Sequence, residues 1–278
     1  MTLPRLVLSA CACACAGAAF VVTSAAQAAA PSFVKGGSVT LCTDPTYAPM
    51  EFFLHTGDKE PVGFDIDLAR ALAKRWGAEL RIISMAFTGL LPGVGAGRCD
   101  FVLSGTFITP ERVKNFSGVP YLVSSMVLLK AAKTPDLDNP EAVSGKVLAV
   151  QAGTQYEKRA HALSDKLKAE GKAPITIESY PGGSDAIQQL TTGRAAVAIT
   201  QDTEAAWRAV AQPGEFAVAY VYPPTDEFGI YFAKNAQDAA MVTADVAALR
   251  ADGTIKKLAA TWHMPPADAE AALIPPPS

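Results

Sequence analysis

The residues best suited to bind a small anion lie where predicted strands give way to predicted helices. Arg112 stands in the first turn of a helix, just beyond the apolar run Phe101–Ser104, and doubly wound sheets place their ligands at such strand ends. Its planar guanidinium can donate two parallel hydrogen bonds to a carboxylate. Thr154 and Gln155 follow Gly153 at another helix start, where free N–H groups favour an anion. These positions predict a carboxylate site, although a surface charge and a simple turn with a helix cap are alternative readings.

Signatures of the common catalytic and nucleotide-binding classes are missing from the sequence. It contains no G-x-S-x-G, no H-E-x-x-H and no G-x-x-x-x-G-K-[ST]. The three histidines, His55, His161 and His263, are far apart, which disfavours a histidine-rich metal cage. The formal net charge is −3 and no long basic stretch is present, so the electrostatic footprint of a nucleic-acid-binding protein is absent. We therefore expect no catalytic residues, no metal, no cofactor and no nucleic-acid partner.

Short apolar runs and helical patterns alternate along the chain, and these elements must position the residues named above. This alternation is typical of an α/β fold with a mostly parallel sheet and helices on both faces. Asp65 is predicted as the N-cap of a helix that ends at Gly77, and Thr109 as the N-cap of a helix with Pro110 at its first position. We predict strands at residues 39–42, 80–84, 101–104, 147–151, 175–179, 195–200 and 229–233. Further helices are predicted at 90–96, 155–167, 185–192, 203–210, 240–249 and 254–262.

The N-terminus has the features of an export signal. One positive charge, Arg5, precedes an apolar run, and Ala26-Gln27-Ala28 supplies small residues before a cleavage site. We therefore predict that residues 1–28 are a signal peptide and that the mature protein is exported. Cleavage after Ala30, a membrane anchor and a lipoprotein box at residues 8–11 are the alternatives.

Two cysteines, Cys42 and Cys99, lie beyond the predicted signal peptide. An oxidising compartment would allow a disulfide between them. Each, however, lies in or beside an apolar, strand-like run, where a free cysteine behaves as a small buried hydrophobe. We expect two buried free thiols.

Five blocks in order between about residue 36 and residue 264 resemble the polar-amino-acid family of solute-binding proteins of ABC importers, also called family 3. The first three are Asp44-Pro45-Thr46-Tyr47-Ala48-Pro49-Met50, Gly63-Phe64-Asp65-Ile66-Asp67-Leu68, and Thr109-Pro110-Glu111-Arg112 with Pro120-Tyr121. The other two are Lys146-Val147 through Gly153-Thr154 and Ala251-Asp252-Gly253-Thr254. Any one of these blocks is weak evidence, whereas all five in order are specific.

The resemblance implies a type II periplasmic-binding-protein fold, in which two doubly wound α/β lobes are joined by a two-strand hinge with the ligand in the cleft. We expect a first lobe at 34–122, a second lobe at 123–226, a return to the first lobe at 227–264 and a loosely attached, proline-rich tail at 265–278. The resemblance further implies a periplasmic receptor, and we expect a monomer because hinge closure does not need a partner subunit. The receptor would bind an amino acid or related small zwitterion and deliver it to an ABC permease in the inner membrane.

The same resemblance assigns roles to individual residues. Arg112 would bind the ligand carboxylate with N–H groups near Thr154 and Gln155, and Asp202 would bind the ammonium, although Asp202 also fits a simple N-cap. Tyr47 and Phe87 resemble the two aromatic residues that sandwich the ligand side chain. The remaining expected ligand-binding residues are Asp44, which could meet a cationic side-chain group, Ser104 and Gly105, whose backbone would approach the ligand, and Gln151 from the second lobe.

Phe107 departs from the family pattern. Many amino-acid binders have Ser or Thr five residues before the arginine, and a phenyl ring cannot replace that hydroxyl. As a third aromatic wall, Phe107 resembles the box of ectoine- and betaine-type binders, which hold a delocalised or quaternary cation. An amino-acid receptor is the preferred reading. The alternatives are a compatible-solute binder, an exported cyclohexadienyl dehydratase and a sensory domain.

Overall fold

The computed structural model describes residues 30–135, 137, 139–223 and 226–274. The predicted signal peptide and residues 275–278 of the tail lie outside the described residues. The strands are β1 Ser38–Thr43, β2 Thr46–Tyr47, β3 Glu51–Phe52, β4 Glu79–Ser84, β5 Phe101–Val102, β6 Phe116–Ser124, β7 Met126–Ala131, β8 Val147–Gln151, β9 Thr176–Tyr180, β10 Val197–Gln201, β11 Phe216–Val221 and β12 Asp226–Ala233. The helices are α1 Phe64–Arg75, α2 Leu90–Gly95, α3 Pro110–Asn115, α4 Gln155–Ala169, α5 Gly183–Thr191, α6 Asp202–Ala211, α7 Ala236–Ala251, α8 Thr254–Thr261 and α9 Pro266–Glu270, with 3-10 turns at Phe87–Gly89 and Pro140–Val143.

Two five-stranded sheets organise the chain, and a small antiparallel ladder joins β2 to β3. The first sheet has the order β4-β1-β5-β12-β6 and the second the order β11-β7-β10-β8-β9. In each, three neighbouring strands pair in parallel, while the strands beside the crossings pair antiparallel. Strand residues such as Leu41, Phe101 and Leu148 are completely buried, because helices cover both faces of a parallel sheet. The predicted α/β class is confirmed.

The chain passes between the sheets twice. β6 ends at Ser124 in the first sheet and β7 begins at Met126 in the second. On the way back, β11 ends at Val221 and β12 begins at Asp226 in the first sheet, where it pairs with β6 along its whole length. The elements before Ser125 and after Asp226 form the first lobe, and those between form the second. This two-lobe arrangement with a two-strand hinge is the fold that the resemblance implied.

The expectation of two free thiols is wrong. Cys42 Sγ and Cys99 Sγ are bonded at 2.01 Å. Cys42 lies on β1 and Cys99 two residues before β5, which pairs with β1 in parallel. The pairing of these strands brings the two Cα atoms to 5.6 Å, a typical distance for a disulfide. Their apolar neighbours correctly indicate burial, but burial does not distinguish a thiol from a bridge.

The first helix begins earlier than predicted. Its N-cap is Gly63, whose φ of 137° suits glycine and whose added Cβ would lie 2.2 Å from the carbonyl oxygen of Met50. Asp65 therefore lies inside the first turn and is not the N-cap. Its side chain is completely buried and accepts hydrogen bonds from Gly105 N and Tyr121 Oη.

The described part of the C-terminal tail is not loosely attached. Helix α9 packs against α8 and β6. Asp268 and Ala269 on this helix are buried, and Arg250 of α7 donates to the carbonyl oxygen of Ala271. Across the described ranges, none of the helices combines the length and apolar character that a membrane crossing requires.

Candidate functional site

The carboxyl ends of strands from both lobes meet at a narrow cavity between them. Ten of the eleven predicted site residues line it, and only Asp202 does not. Its lining residues are Asp44, Tyr47, Glu51, Phe87, Ser104, Gly105, Phe107, Arg112, Gln151, Thr154, Gln155 and Tyr156. The free volume is about 10 Å³, whereas a neighbouring outer cavity that shares Phe87, Arg112 and Gln155 has about 270 Å³. The protein's own side chains therefore nearly fill the inner cavity.

Direct bonds between the lobes close the cleft around this cavity. Gln151 Nε2 of the second lobe donates to Asp44 Oδ2 of the first at 2.6 Å. Gly183 N at the start of α5 donates to Thr46 Oγ1 at 2.9 Å, and the hydroxyls of Tyr47 and Thr203 are 3.0 Å apart. The lobes are thus in a closed arrangement held by hydrogen bonds on and beside the residues that line the cavity.

Arg112 is fixed by its neighbours in the first lobe. Thr109 caps α3 and accepts from Arg112 N at 3.3 Å. Arg112 Nη1 donates to the carbonyl oxygen of Phe107 at 2.8 Å, and its guanidinium carbon lies 5.6 Å from the ring centroid of Phe87. Burial lowers the pKa of Arg112, but the guanidinium stays charged. Because Arg112 lines both cavities, it can serve a carboxylate in either.

Asp44 supplies negative charge to the same cavity. It is buried, and its Oδ2 also accepts from Phe87 N at 3.1 Å. Burial raises the pKa of Asp44, and hydrogen bonds from Thr46, Gln151 and Phe87 N oppose that rise. A buried carboxylate is stabilised by a cationic partner, so Asp44 is suited to the positive group of a ligand.

Aromatic rings form the apolar walls. Phe107 lines the cavity, stacks on Phe228 with ring centroids 5.1 Å apart and meets Tyr156 edge-on at 5.8 Å. The departure from the family pattern at Phe107 therefore lies in the cavity itself. Tyr47 packs so closely on Gly105 that an added Cβ there would lie 2.5 Å from Tyr47 Cε1, which requires glycine at this position.

Asp202 lies at the hinge and not in the cavity. Its Oδ1 accepts from Ser124 Oγ at 2.5 Å and from Thr203 N at 2.9 Å, and its Oδ2 accepts from Ser125 N at 3.1 Å. These bonds join the start of α6 to the crossing between β6 and β7. Asp202 does not line the cavity, and it is not the N-cap either, because the N-cap of α6 is Gln201 and Asp202 is the first residue of the helix.

Three residues that sequence reasoning missed contribute to the site. Glu51 lines the cavity and accepts from Ser104 Oγ at 2.8 Å, and Asp65 lies behind it. Both are completely or almost completely buried. Burial raises the pKa of Asp65 to about 7, and burial together with the negative charge of Asp65 holds the pKa of Glu51 well above its usual range. Tyr156 follows Gln155 on α4 and resembles an ordinary core residue of the helix.

The sequence did contain a signal for the two acids. Glu51 directly follows the first block of the resemblance, and Asp65 lies inside the second. Asp65 does not stand out, because an acid in a first helical turn is common, whereas Glu51 is a lone charge among the apolar residues 48–54. Among the described residues, no group of three or more His, Cys, Asp and Glu side chains could hold a metal ion.

Comparisons with known proteins agree with this geometry. The model of the family described as bacterial extracellular solute-binding proteins, family 3, matches residues 39–265. The chain is 30% identical over 253 residues to the arginine-binding protein of Corynebacterium glutamicum, covering 89% of this chain and 82% of that one. It is 31% identical over 253 residues to the histidine-binding periplasmic protein of Escherichia coli K12, covering 87% and 91%.

Solved structures share the two-lobe architecture. An ancestral arginine-binding protein bound to arginine is 26% identical, with a TM-score of 0.72 over 81% of this chain and 98% of that one. An ancestral amino-acid-binding protein described as a precursor of cyclohexadienyl dehydratase is 28% identical, with a TM-score of 0.71 over 82% and 96%. The curated relatives compared here are named as binding proteins.

Proposed function

Because the chain belongs to family 3 of the bacterial extracellular solute-binding proteins, we propose that it is a receptor for a cationic amino acid, which it binds between its lobes and delivers to an ABC importer. The arginine- and histidine-binding relatives support this ligand class. So does the position of Asp44, a buried carboxylate on the wall of the cavity.

The observation that carries the proposal is that Arg112 and Asp44 line one cavity between the lobes with Tyr47 and Phe87. The lobes must open from the present closed arrangement to admit a ligand there, because this arrangement leaves only about 10 Å³ free. A closed cleft strips water from a zwitterion, so each charged group needs a partner. Arg112 binds the ligand carboxylate, with N–H groups at the start of α4 as further donors. The aromatic rings flank the apolar part of the ligand, and Asp44 pairs with its cationic end.

A compatible-solute binder is the second candidate, and Phe107 is the observation that favours it. This ring lines the cavity where a hydroxyl would serve a primary ammonium, and Asp202 is bound to the hinge. A quaternary or delocalised cation needs aromatic faces and no hydrogen-bond acceptor. Ectoine and glycine betaine are therefore included as competing ligands in the test below.

The finer assignments belong to the same proposal. The receptor acts in the periplasm after removal of its signal peptide, works as a monomer and performs no catalysis. The named relatives support the absence of an enzymatic role, since those compared here are binding proteins. In this scheme the importer's ATPase supplies the energy for transport, and the receptor supplies ligand capture and closure.

Calorimetry on protein that has been unfolded, dialysed and refolded tests the proposal. The titrants are L-arginine, L-histidine, L-glutamine, ectoine, glycine betaine and prephenate. We expect L-arginine or L-histidine to bind most tightly, and Arg112→Ala to abolish that binding. The matched control is Arg70→Ala, which removes a half-exposed arginine on α1. Normal binding by Arg112→Ala would contradict the site, and binding of ectoine or betaine alone would favour the second candidate.

A further inference from the structure

Glu51, which lines the ligand cavity, and Asp65, which does not, form a buried acid pair. Glu51 is 1% exposed and Asp65 is 0% exposed. One oxygen of each is satisfied, because Ser104 Oγ donates to Glu51 Oε1, while Gly105 N and Tyr121 Oη donate to Asp65 Oδ2, all at 2.8 Å. The other two oxygens, Glu51 Oε2 and Asp65 Oδ1, are buried and receive no donor from the described residues.

The backbone brings the two carboxyl groups together. Ser104 and Gly105 are consecutive and each donates to one of the two groups, and Asp65 N donates to the carbonyl oxygen of Met50, the residue before Glu51. Two neighbouring carboxylates that both ionise in a dry interior would repel, so one of the two retains its proton far above the usual range. The pair therefore carries one negative charge, and burial together with the neighbouring acid raises the pKa of the carboxyl that keeps the proton.

The pair is attached to both loops that form the site. Ser104 Oγ, which donates to Glu51, accepts from Asp44 N at 3.0 Å, and Gly105 N binds Asp65. The titratable groups that face the pair are Asp44 from the loop after β1, Tyr121 from β6 and, across the cavity, Tyr47 from β2, Tyr156 from α4 and Arg112 from α3. A cation that binds beside Asp44 thus enters the field of the pair.

We propose that Glu51 and Asp65 share one proton and that a cationic ligand bound beside Asp44 displaces it, so that the receptor exchanges a proton for its ligand. The inference rests on the proposed function, because it requires a positively charged ligand in this cavity. The ligand's charge stabilises the doubly ionised pair and compensates for the lost proton, which leaves to solvent. A neutral amino acid brings no such compensation and leaves the proton in place.

The affinity for a cationic ligand should rise with pH. Ligand binding lowers the pKa of the pair, so the free protein holds the proton in a pH range where the complex has lost it. Within that range the affinity for a cation rises with pH, by at most about tenfold per pH unit for one proton. Above the pKa of the free protein the affinity becomes constant. The affinity for a neutral ligand stays constant throughout.

Titration calorimetry measures the released proton. L-arginine and L-glutamine are titrated at pH 7 in phosphate and in Tris, whose ionisation enthalpies differ. We expect the apparent enthalpy for L-arginine to differ between the buffers in proportion to a released fraction of a proton, and that for L-glutamine to agree. Equal enthalpies for L-arginine in the two buffers overturn the inference while leaving the proposed function intact. Failure of every cationic ligand to bind overturns both.

Glu51→Gln locates the proton. Its amide oxygen still accepts from Ser104, and its amide nitrogen donates to Asp65, so the variant imitates the singly charged pair. We expect it to bind L-arginine with no proton release and with an affinity that does not change from pH 6 to pH 8. Glu60→Gln, which removes an exposed acid, should behave like the wild type. If Glu51→Gln does not fold, Asp65→Asn is used in its place. Proton release that persists in the folded variant assigns the proton to Asp44 and overturns the inference.

Discussion

At the scale of single residues, the charge of the cavity depends on three side chains, Asp44, Glu51 and Arg112. Arg112 is held by the carbonyl oxygen of Phe107, and Asp44 is held by donors from both lobes. Both charges are therefore fixed in place before a ligand contributes any contact. A ligand whose charges do not match these fixed groups leaves one of them buried without a partner, and it therefore binds more weakly.

Asp44→Asn tests the discrimination between cationic and neutral ligands. The amide keeps an acceptor for Gln151 and Phe87 N but loses the charge, and a hydrogen bond to a charged group contributes about 1.5–3 kcal/mol. We expect the Kd for L-arginine to increase about 10- to 100-fold and that for L-glutamine to change less than about threefold, as measured by calorimetry. Glu60→Gln, on an exposed acid that lines neither cavity, is the control and should change neither Kd. Equal losses for both ligands would contradict a charge-specific role.

At the scale of elements, the disulfide ties two neighbouring strands of the first lobe. Cys42 and Cys99 are 57 residues apart, and the segment between them contains β4, α1, α2 and the site loop with Asp44. The bridge closes this whole segment into a loop. A chain-entropy argument gives about 4 kcal/mol as the upper estimate for a loop of this length.

The double variant Cys42→Ser/Cys99→Ser tests this contribution. We expect its free energy of unfolding to fall by about 2–4 kcal/mol, so that Tm decreases by roughly 5–15 °C while L-arginine still binds. Circular dichroism gives the Tm, and thiol titration of the denatured wild type should find no free thiol. A reductant should lower the Tm of the wild type and leave that of the variant unchanged. A wild type with two titratable thiols would contradict the bridge.

Particular elements show how far the sequence predicts this fold. The strands β8 and β10 begin with the apolar runs Val-Leu-Ala-Val and Val-Ala-Ile. Thr109 and Thr154 cap helices through their side chains. Local patterns identify these elements. The disulfide could not be predicted, because it depends on which strands become neighbours. The same is true of Asp65, whose partners Gly105 and Tyr121 are 40 and 56 residues away. The resemblance, and not periodicity, supplied the return of the chain to the first lobe.

At the scale of the whole molecule, closure depends on bonds at the cavity and at the hinge. Gln151, Gly183 and Thr203 of the second lobe bind residues of the first lobe beside the cavity. At the hinge, Asp202 joins α6 to the crossing strand through Ser124 and Ser125. Helix α9 packs on the first lobe, where its buried Asp268 is under the influence of the negative charge of Asp202. The region of the hinge therefore contains a second buried carboxyl group.

Asp268 should make the stability of the molecule depend on pH. It is 5% exposed, and its Oδ2 receives no donor within the described ranges. Burial, together with the negative charge of Asp202, raises the pKa of Asp268 to about 8, against about 3.9 in an unfolded chain. Because the folded pKa is the higher one, the folded state holds a proton that the unfolded state has lost. The stabilisation of the folded state by this proton is complete below about pH 4. It is lost progressively as the pH rises to about 8, and the free energy of unfolding changes no further above that pH on its account.

Asp268→Asn removes this dependence, because the amide has nearly the same shape as the acid but does not titrate. We expect the Tm of the variant to match that of the wild type near pH 4, to exceed it by an increasing amount up to about pH 8, and to keep a constant advantage of several degrees beyond. Differential scanning fluorimetry between pH 4 and pH 9 measures both curves. Glu270→Gln, on an exposed acid of the same helix, should give no such divergence. Parallel curves for Asp268→Asn and the wild type would show that the pKa of Asp268 is not raised in the folded protein, and that the molecule is equally stable when Asp268 is ionised.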